Sequence, residues 1–202
     1  MFLRSCIRVR QTVNLFHNHR RSISSLRRGV NYMFKKNLLF TNSITSGGCM
    51  SLGDLIQQEI EYEAKILPFR YDWARVARMF IVGTLMGPLH HFYYTQLDKI
   101  FPQCNLKTVA IKILCDQAFA SPATIIFFFY GMGVLEEKSF SKSTEEIVQK
   151  FKYVYLGDCL FWPPVQFINF YFLPTQYRVF YINVATMVFN VFLSYMKHFD
   201  QH

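Results

Sequence analysis

The chain has 202 residues, of which 51% are hydrophobic, 18% aromatic and only 17% charged, with a formal net charge of +9. This length allows one domain, or a targeting segment followed by one domain, and the composition is typical of a membrane protein. Nine basic residues and no acidic one lie in residues 1–36, so the rest of the chain is neutral. The sequence therefore predicts no sequence-specific nucleic-acid binding by the body of the protein.

Residues 1–36 have the composition of a mitochondrial transit peptide, because they are rich in Arg and Ser, lack acids and are roughly amphipathic. The sequence Arg21-Ser-Ile-Ser matches a processing pattern with cleavage after Ile23. A disordered basic arm is the alternative, since this composition cannot form a packed core. The predicted location is accordingly a mitochondrial membrane.

The body, residues 37–199, contains five uncharged stretches, at 37–53, 79–97, 117–135, 159–177 and 179–196. Each is close to the roughly 20 helical residues that cross a bilayer. Arg178 alone separates the last two, so either these two form a tight helical hairpin or one of them does not fully cross. The predicted fold class is an all-α integral membrane protein, a multipass bundle of four transmembrane helices, with five as the alternative.

Small residues at helical spacing predict where these helices pack. Gly83 and Gly87, followed by Pro88, form a GxxxG pattern in the second stretch, and Ser43 and Gly47 are spaced in the same way in the first. Small side chains allow helix backbones to approach closely in lipid, where no hydrophobic force drives helices together.

The last two stretches each carry a polar stripe at helical spacing. The first stripe consists of Asp158, Trp162, Gln166 and Asn169, and the second of Asn183, Thr186, Asn190 and Ser194. Polar side chains are costly in lipid, so we expect the stripes to face each other or a wet cavity. They are interpreted either as interhelical hydrogen bonding or as the lining of a narrow aqueous path. Asp116 and Asp158 are singled out because each directly precedes an apolar stretch.

Two further local features predict helix boundaries. Pro163 and Pro164 lie inside the fourth stretch and predict a kink or a helix start there. Between the third and fourth stretches, Ser143 and Glu146 form a capping-box pattern ahead of an apolar stripe. This pattern predicts a separate interfacial helix within 136–154.

Patterns for catalysis or cofactor binding are absent from the sequence, which holds no GxSxG, HExxH or phosphate-binding glycine loop. The five cysteines show no spacing suited to zinc, and the adjacent His90 and His91 point in different directions on a helix. The sequence therefore predicts a protein that is not an enzyme and that needs no cofactor and no metal.

A long irregular motif in the C-terminal half resembles the signature of the Mpv-17 family, which includes small peroxisomal membrane proteins. The motif comprises Trp162, Pro163, Gln166, Asn169, Pro174, Arg178, Asn190 and Ser194. Upstream, Gly53-Asp54, Arg75, Gly87-Pro88 and Asp116-Gln117 match other fixed points of the family in the same order. The stretch 87–102 is most similar to the Mpv-17-like type 2 branch.

The resemblance implies a multipass helical protein of the mitochondrial inner membrane or the peroxisomal membrane. For the branch it implies association with the mitochondrial ribosome and a role in ribosome assembly and mitochondrial translation, with the large ribosomal subunit as partner. For the family at large it implies a weakly selective channel that influences metabolite or nucleotide supply and mitochondrial DNA maintenance. The transit-like N-terminus favours the mitochondrion, and a homo-oligomer is left open.

Overall fold

The computed structural model describes residues 38–103, 105–172 and 175–198, and all regular structure within these ranges is helical. The helices are α1 (Leu38–Glu63), α2 (Trp73–Ile100), α3 (Leu106–Cys115), α4 (Ser121–Leu135), α5 (Phe140–Tyr171) and α6 (Thr175–His198). A π-helical turn, Asp116–Ala120, joins α3 to α4 without a break. The helices pack within one unit, Asn42–His202; of the preceding unit, Met1–Thr41, the described residues are those that begin α1.

Polar side chains cap the first turns of three helices. Asp72 accepts hydrogen bonds from the backbone N–H groups of Ala74 and Arg75, at 2.9 and 3.1 Å, and so starts α2. Asn105 caps α3 in the same way. Because the first N–H groups of a helix have no partner within it, such caps fix where the helix begins.

The predicted capping box at Ser143 is wrong. Ser139 caps the helix instead, so α5 begins at Phe140 and continues without interruption to Tyr171. Ser143 therefore lies inside the first turns of α5, where it is buried against Gly133. The interfacial helix predicted within 136–154 is the first half of α5 and not a separate element.

The helix start predicted at Pro163 is also wrong, because α5 runs through both prolines. Aromatic packing holds this part of α5 against α6. The rings of Phe161 and Trp162 lie 5.3 and 5.6 Å from the ring of Phe189 on α6. Tertiary contacts of this kind stabilise helical geometry at a proline that local preference disfavours.

Helices α4 and α5 form an antiparallel hairpin. Tyr130 near the end of α4 is 2.9 Å from the Thr144 hydroxyl of α5, and its ring stacks on Phe140 with centroids 4.9 Å apart. At the other end of the pair, the Tyr155 hydroxyl donates to the backbone carbonyl of Gln117 at 3.1 Å. These contacts therefore fix the alignment of α4 against α5, from the loop that joins the two helices to the π turn.

This register staggers the two apolar stretches. The stretch 117–135 lies opposite the first half of α5, and the stretch that begins at Cys159 lies beyond the level of the π turn. Asp116 and Asp158, which directly precede these two apolar stretches, lie in the middle parts of two long helices, where the stretches meet end to end. Their position relative to the membrane boundaries stays a prediction.

The apolar core of the unit lies between α2, α4 and α5, with Met50 added from α1 and Leu193 from α6. Its fully or almost fully buried members are Met50, Met79, Val82, Met86, Ile125, Phe128, Phe129, Met132, Val154 and Leu193. Phe128 and Phe129 meet edge to face with centroids 5.3 Å apart, a favoured arrangement of aromatic rings.

Large apolar side chains also cover the outside of the helices. Leu114, Phe119, Val148 and Leu160 are each at least two-thirds exposed. Among the described residues, one continuous helix, Leu106–Leu135, is long and apolar enough by itself to cross a membrane, and only a third of its most apolar part is buried. Apolar exposure on this scale is typical of helices that face lipid. The all-helical part of the predicted fold class is confirmed, and the number of spans stays a prediction.

Candidate functional site

Three clusters of buried polar residues lie inside the helical unit. The first, here named the ion-pair network, consists of Asp54, Glu61, Arg75 and Ser194, which are all at most 4% exposed. Arg75 Nε donates to Asp54 Oδ1 and Arg75 Nη1 to Glu61 Oε2, both at 2.7 Å. Arg75 Nη2 donates to Ser194 Oγ at 2.9 Å. The planar guanidinium thus joins α1, α2 and α6 in one set of charge-assisted hydrogen bonds.

Glutamine side chains on α1 complete this network. Gln58 Nε2 donates to Asp54 Oδ2 at 2.7 Å, while Gln58 Oε1 accepts from the backbone N–H of Asp72 at 2.5 Å. Gln57 Nε2 donates to Glu61 Oε1 at 3.0 Å. Both carboxylates are therefore compensated by several donors, as buried charges must be if they are to remain ionised.

The second cluster, here named the loop cluster, ties the α4–α5 connection to the end of α6. Its members are Glu136, Lys138, Glu146, Lys150 and Lys197. Lys197, which is fully buried, lies 2.8 Å from both oxygens of Glu146 and 3.1 Å from Glu136 Oε2. Lys150 Nζ donates to the backbone carbonyl of Lys197 at 3.0 Å. The charged side chains of the loop cluster thus point into the protein.

The pairings shift two pKa values in this connection. Burial raises the pKa of Glu146, but hydrogen bonds and charges from Lys197 and Lys138 more than offset this, so its pKa lies below its ordinary value. Burial lowers the pKa of Lys138, but the hydrogen bonds and charges of Glu136 and Glu146 outweigh it, so its pKa is raised. Both shifts favour the charged forms.

The third cluster, here named the π-turn cluster, brings together three residues that the sequence predicted as site residues, Asp116, Gln117 and Asp158, and two that it did not. Its members are Tyr94 of α2, Asp116 and Gln117 of the π turn, Ser121 of α4 and Asp158 of α5. The Tyr94 hydroxyl donates to Asp116 Oδ1 at 2.7 Å. Asp158 lies beside Ser121, Gln117 and Asp116. The cluster therefore joins three helices around the π turn.

Several buried polar atoms of the π-turn cluster have no hydrogen-bond partner of adequate geometry. They are Asp158 Oδ2, Ser121 Oγ and both side-chain polar atoms of Gln117. Ser121 is 6% and Asp158 is 7% exposed. Buried polar groups in proteins are nearly always hydrogen-bonded, and π-helical turns are frequent at functional sites. This cluster is the strongest candidate functional site.

The remaining residues of the first polar stripe lie further along α5. Trp162 packs in the aromatic contact with Phe189, and Pro163 follows it within the helix. Gln166 is half-buried. Asn169 is buried, and its Oδ1 has no hydrogen-bond partner. This stripe does not meet the polar stripe of α6 in any described hydrogen bond.

The second stripe faces α1 and α2 instead. Asn190 packs so closely on Gly53 that a Cβ at Gly53 would lie 2.6 Å from Asn190 Cβ, and Ser194 belongs to the ion-pair network. Asn190 and Ser194 of the α6 stripe thus serve packing on α1 and α2 and do not face the first stripe, and the wet cavity that was the alternative stays a prediction. Pro174 and the side chains of Arg178 and Asn183 lie outside the described residues.

The predicted small-residue contacts are present. A Cβ at Gly83 would lie 2.9 Å from Gly47 Cα, and a Cβ at Gly87 would lie 2.5 Å from Ser43 Cα. Pro88 follows inside α2. These glycines let α1 and α2 approach within the chain.

Sequence reasoning missed the ion-pair network, although it singled out Asp54 and Arg75 as fixed points. Asp54, Gln58 and Glu61 follow at spacings of four and three, so they share one helix face, which is the signal that could have revealed it. Their partner Arg75 is on another helix and could not be assigned from spacing.

Groups of three or more His, Cys, Asp and Glu side chains that could hold a metal ion are absent from the part of the chain that the structure describes. Cys49, Cys115 and Cys159 form no disulfide among the described residues. His90 lies 3.1 Å from the Thr124 hydroxyl, a contact between helices α2 and α4. The arrangement defines a helical protein with a largely apolar outer surface, typical of a membrane protein, whose described part holds three polar clusters between its helices.

Comparison with known proteins agrees with this class. The model of the Mpv17 / PMP22 family matches residues 133–194. The PXMP2/4 family protein 4 of Dictyostelium discoideum is 34% identical over 78% of this chain and 85% of its own length. The peroxisomal membrane protein PMP22 of Arabidopsis thaliana is 29% identical, with coverage of 77% and 81%, and the mitochondrial inner membrane protein Mpv17 of Danio rerio is 28% identical, with coverage of 75% and 85%. No solved structure matches the chain.

The chain belongs to the Mpv17/PMP22 family. The family resemblance read from the sequence is therefore confirmed. The mitochondrial inner-membrane location predicted from the acid-free N-terminal segment agrees with the similarity to the zebrafish mitochondrial inner membrane protein, and the peroxisomal membrane, where the Arabidopsis relative is found by name, stays the less favoured alternative.

Proposed function

We propose that the chain is a non-enzymatic inner-membrane protein that provides a weakly selective pathway for small solutes. The observation that carries this proposal is the π-turn cluster, whose buried polar atoms lack partners in the middle of two long helices. Polar groups in dry helix interfaces are normally satisfied by one another, whereas groups along a water-filled path are satisfied by water or by the solute.

The proposal includes a transmembrane bundle of five helices, namely α1, α2, the continuous α3–α4 helix, α5 and α6. It is supported by the closeness of α5 and α6, which end and begin at Tyr171 and Thr175. A Cβ at Gly157 of α5 would lie 2.6 Å from the Phe192 ring of α6, so the two helices are in close contact. With five spans the chain termini lie on opposite sides of the membrane. Protease protection of tags at the two ends in mitoplasts distinguishes five spans from four.

The pathway is tested by planar-bilayer recording of the purified protein. We expect conductance from the wild type and an altered conductance from the double variant Gln166→Leu, Asn169→Leu, with an unchanged unfolding midpoint. Because Asn169 Oδ1 has no partner in the structure, the loss of this oxygen leaves no hydrogen-bond donor without its acceptor. Absence of any conductance by the folded wild-type protein would overturn the pathway. A large loss of stability in the double variant would show that these side chains are structural.

A second function, support of the mitochondrial ribosome, is favoured by the basic segment directly before α1. If cleavage follows Ile23, then Arg27, Arg28, Lys35 and Lys36 remain ahead of the first helix, with no acidic residue among them. Such a segment suits a polyanion such as ribosomal RNA. The segment 136–152 also contains basic residues, but it is less suited to binding a polyanion. Its Lys138 is already paired with Glu136 and Glu146.

Sucrose-gradient sedimentation of solubilised mitochondria tests this second function. We expect a tagged protein to sediment with the large ribosomal subunit at moderate salt, and replacement of the four basic residues by Gln to abolish this. The matched control replaces Lys142 and Lys152, which are exposed basic residues on α5, by Gln. Normal ribosomal sedimentation and normal organellar protein synthesis in cells lacking the protein would overturn the ribosomal function.

A further inference from the structure

The outer face of the first half of α5 is polar. Five exposed polar side chains lie on it and are here named the α5 stripe: Ser141, Lys142, Glu145, Gln149 and Lys152. Because an α-helix turns by about 100° per residue, these five positions fall within an arc of about 100°. The buried Ser143, Lys150 and Val154 lie on the opposite side of the helix. The stripe is therefore a continuous surface that points away from the rest of the bundle.

The helix beside this stripe is apolar. α4 is part of Leu106–Leu135, the one described helix that is long and apolar enough by itself to cross a membrane. The contacts that align the α4–α5 hairpin place residues 140–155 alongside the apolar stretch 117–135. Exposed side chains of α4 at this level include Ile126 and Val134. Two neighbouring helices thus present an apolar and a polar surface at the same depth.

The stripe is too long for all of its side chains to reach the lipid headgroups. From Ser141 to Lys152 it extends about 16 Å along the helix axis, roughly half the thickness of the hydrocarbon core. A lysine side chain can extend to the interface, but the shorter Glu145 and Gln149 in the middle of the stripe cannot follow it. Among the described residues, neither lysine of the stripe forms an ion pair. Charges that face lipid are costly, so another polar surface must cover the stripe.

The stripe is complementary to a second copy of itself. Viewed down the helix axis, Gln149 lies between Glu145 and Lys142, about 40° from the first and about 20° from the second. An interface with two-fold symmetry pairs each patch with the same patch of the other copy. If the axis passes beside Gln149, the acid of each copy faces the base of the other. A groove of about 650 Å³ on this face, lined by Phe140, Ser141, Thr144, Glu145, Val148 and Gln149, has room for side chains of a neighbouring helix.

We propose that the α5 stripe is the interface between two copies of this chain. The two-fold axis is perpendicular to the membrane, so both copies have the same orientation and their α5 helices run parallel. Glu145 of each copy pairs with Lys142 of the other, and Gln149 meets its own counterpart near the axis. The exposed Leu156, which follows on the same face, continues the contact as an apolar one. The inference does not depend on the proposed solute pathway.

Charge reversal tests the interface. Wild-type copies that carry two different tags, co-expressed and purified in mild detergent, should co-purify and show two chains per particle by native mass spectrometry. Glu145→Lys and Lys142→Glu should each abolish this association, because like charges then face each other. A copy with Glu145→Lys should associate again with a copy that carries Lys142→Glu, since both ion pairs are restored. The matched control is Lys107→Glu, an exposed lysine on α3, which should leave the association unchanged.

Cross-linking tests the position of the axis in native membranes. Gln149→Cys should form a disulfide-linked dimer upon oxidation with copper phenanthroline, because the residue meets its counterpart. The wild type, with its native cysteines, and Val184→Cys, at an exposed position of α6, are the controls and should stay monomeric on the denaturing gel. All changed positions of the stripe are exposed, so the unfolding midpoints should stay close to that of the wild type.

Three results would overturn the interface. The first is a folded wild-type protein that is a single chain in both detergent and nanodiscs. The second is association that persists in both single charge variants, which would place the contact on another face. The third is full reaction of Gln149→Cys in liposomes with a membrane-impermeant maleimide, which would show that the stripe faces water. A single chain that still conducts overturns the interface and leaves the pathway standing.

Discussion

Ser194 and Asp54 are 140 residues apart in the chain, yet the Ser194 hydroxyl donates to Asp54 Oδ1 at 2.5 Å. The same hydroxyl accepts from Arg75 Nη2 at 2.9 Å. A single neutral side chain on α6 thus contacts both charged partners of a buried ion pair between α1 and α2. It fixes α6 on these two helices without adding a charge of its own.

Replacement of Ser194 by Ala should therefore destabilise the protein. The change removes one donor and one acceptor from charged partners that remain buried, which typically costs about 1–3 kcal/mol. The unfolding midpoint of the detergent-purified protein measures this. Val188→Ala, at an exposed position of the same helix, is the control and should have little effect. Equal midpoints for the two variants would contradict the assigned role of Ser194.

Replacement of Arg75 should cost considerably more. Arg75→Met leaves Asp54 and Glu61 buried without their cation, and breaking a buried pair in this way costs about 3–5 kcal/mol. The additional changes Asp54→Asn and Glu61→Gln should restore part of this loss, because they remove the stranded charges. Unfolding of the single, double and triple variants measures the coupling. If the losses simply add, the three side chains do not act as one network.

Gly47 and Gly48 are adjacent on α1 but differ in their surroundings. A Cβ at Gly47 would clash with the Thr84 side chain and lie 2.7 Å from the Phe80 carbonyl oxygen, whereas a Cβ at Gly48 would meet nothing within 4 Å. Gly47→Ala should destabilise by about 1–3 kcal/mol through overpacking. Gly48→Ala should be neutral or stabilise by up to about 1 kcal/mol, because Ala favours the helix. Comparison of the two unfolding midpoints checks this, and a loss of stability in both would argue against close α1–α2 packing.

The loop cluster should make stability depend on pH in the acid range. The pKa of Glu146 is below 4.5, its ordinary value and that expected in the unfolded chain, so ionised Glu146 contributes stability that is complete above pH 4.5. This contribution is lost as the pH falls through the lower pKa of the folded state. We expect the unfolding midpoint of the wild type to decrease as the pH is lowered from 4.5. The midpoint of Glu146→Gln should change less over the same pH range. Equal acid dependence in both would show that Glu146 does not contribute.

Helix packing was the part of the fold that could be predicted most directly. The four-residue spacing of Gly83 and Gly87 on one helix, and of Ser43 and Gly47 on another, predicted two close-contact faces, and the structure joins them to each other. This succeeded because small residues at helical spacing have few other uses in apolar helices. Asn190 and Ser194 were likewise correctly placed on one buried face.

The candidate site could be predicted only in part. Asp116, Gln117 and Asp158 were singled out, but nothing in the sequence showed that they meet one another. The register of the α4–α5 hairpin, set by contacts such as Tyr155 with Gln117, shifts the stretches past each other. Residue spacing predicts neither this register nor the π turn, since both depend on contacts between helices.

The pairing of Glu146 with Lys197 also bears on how the protein reaches its membrane. Glu146 has Lys138 and Lys150 as partners within the α4–α5 hairpin, while its third partner, Lys197, is 51 residues further along the chain. Until the C-terminal helix arrives, the charges of the hairpin lack the cover of that helix, and charges exposed to lipid are costly. We expect the last three helices to be inserted together. Chains truncated before residue 175 should consequently be left in the import machinery or degraded, rather than accumulate as a stable shorter bundle.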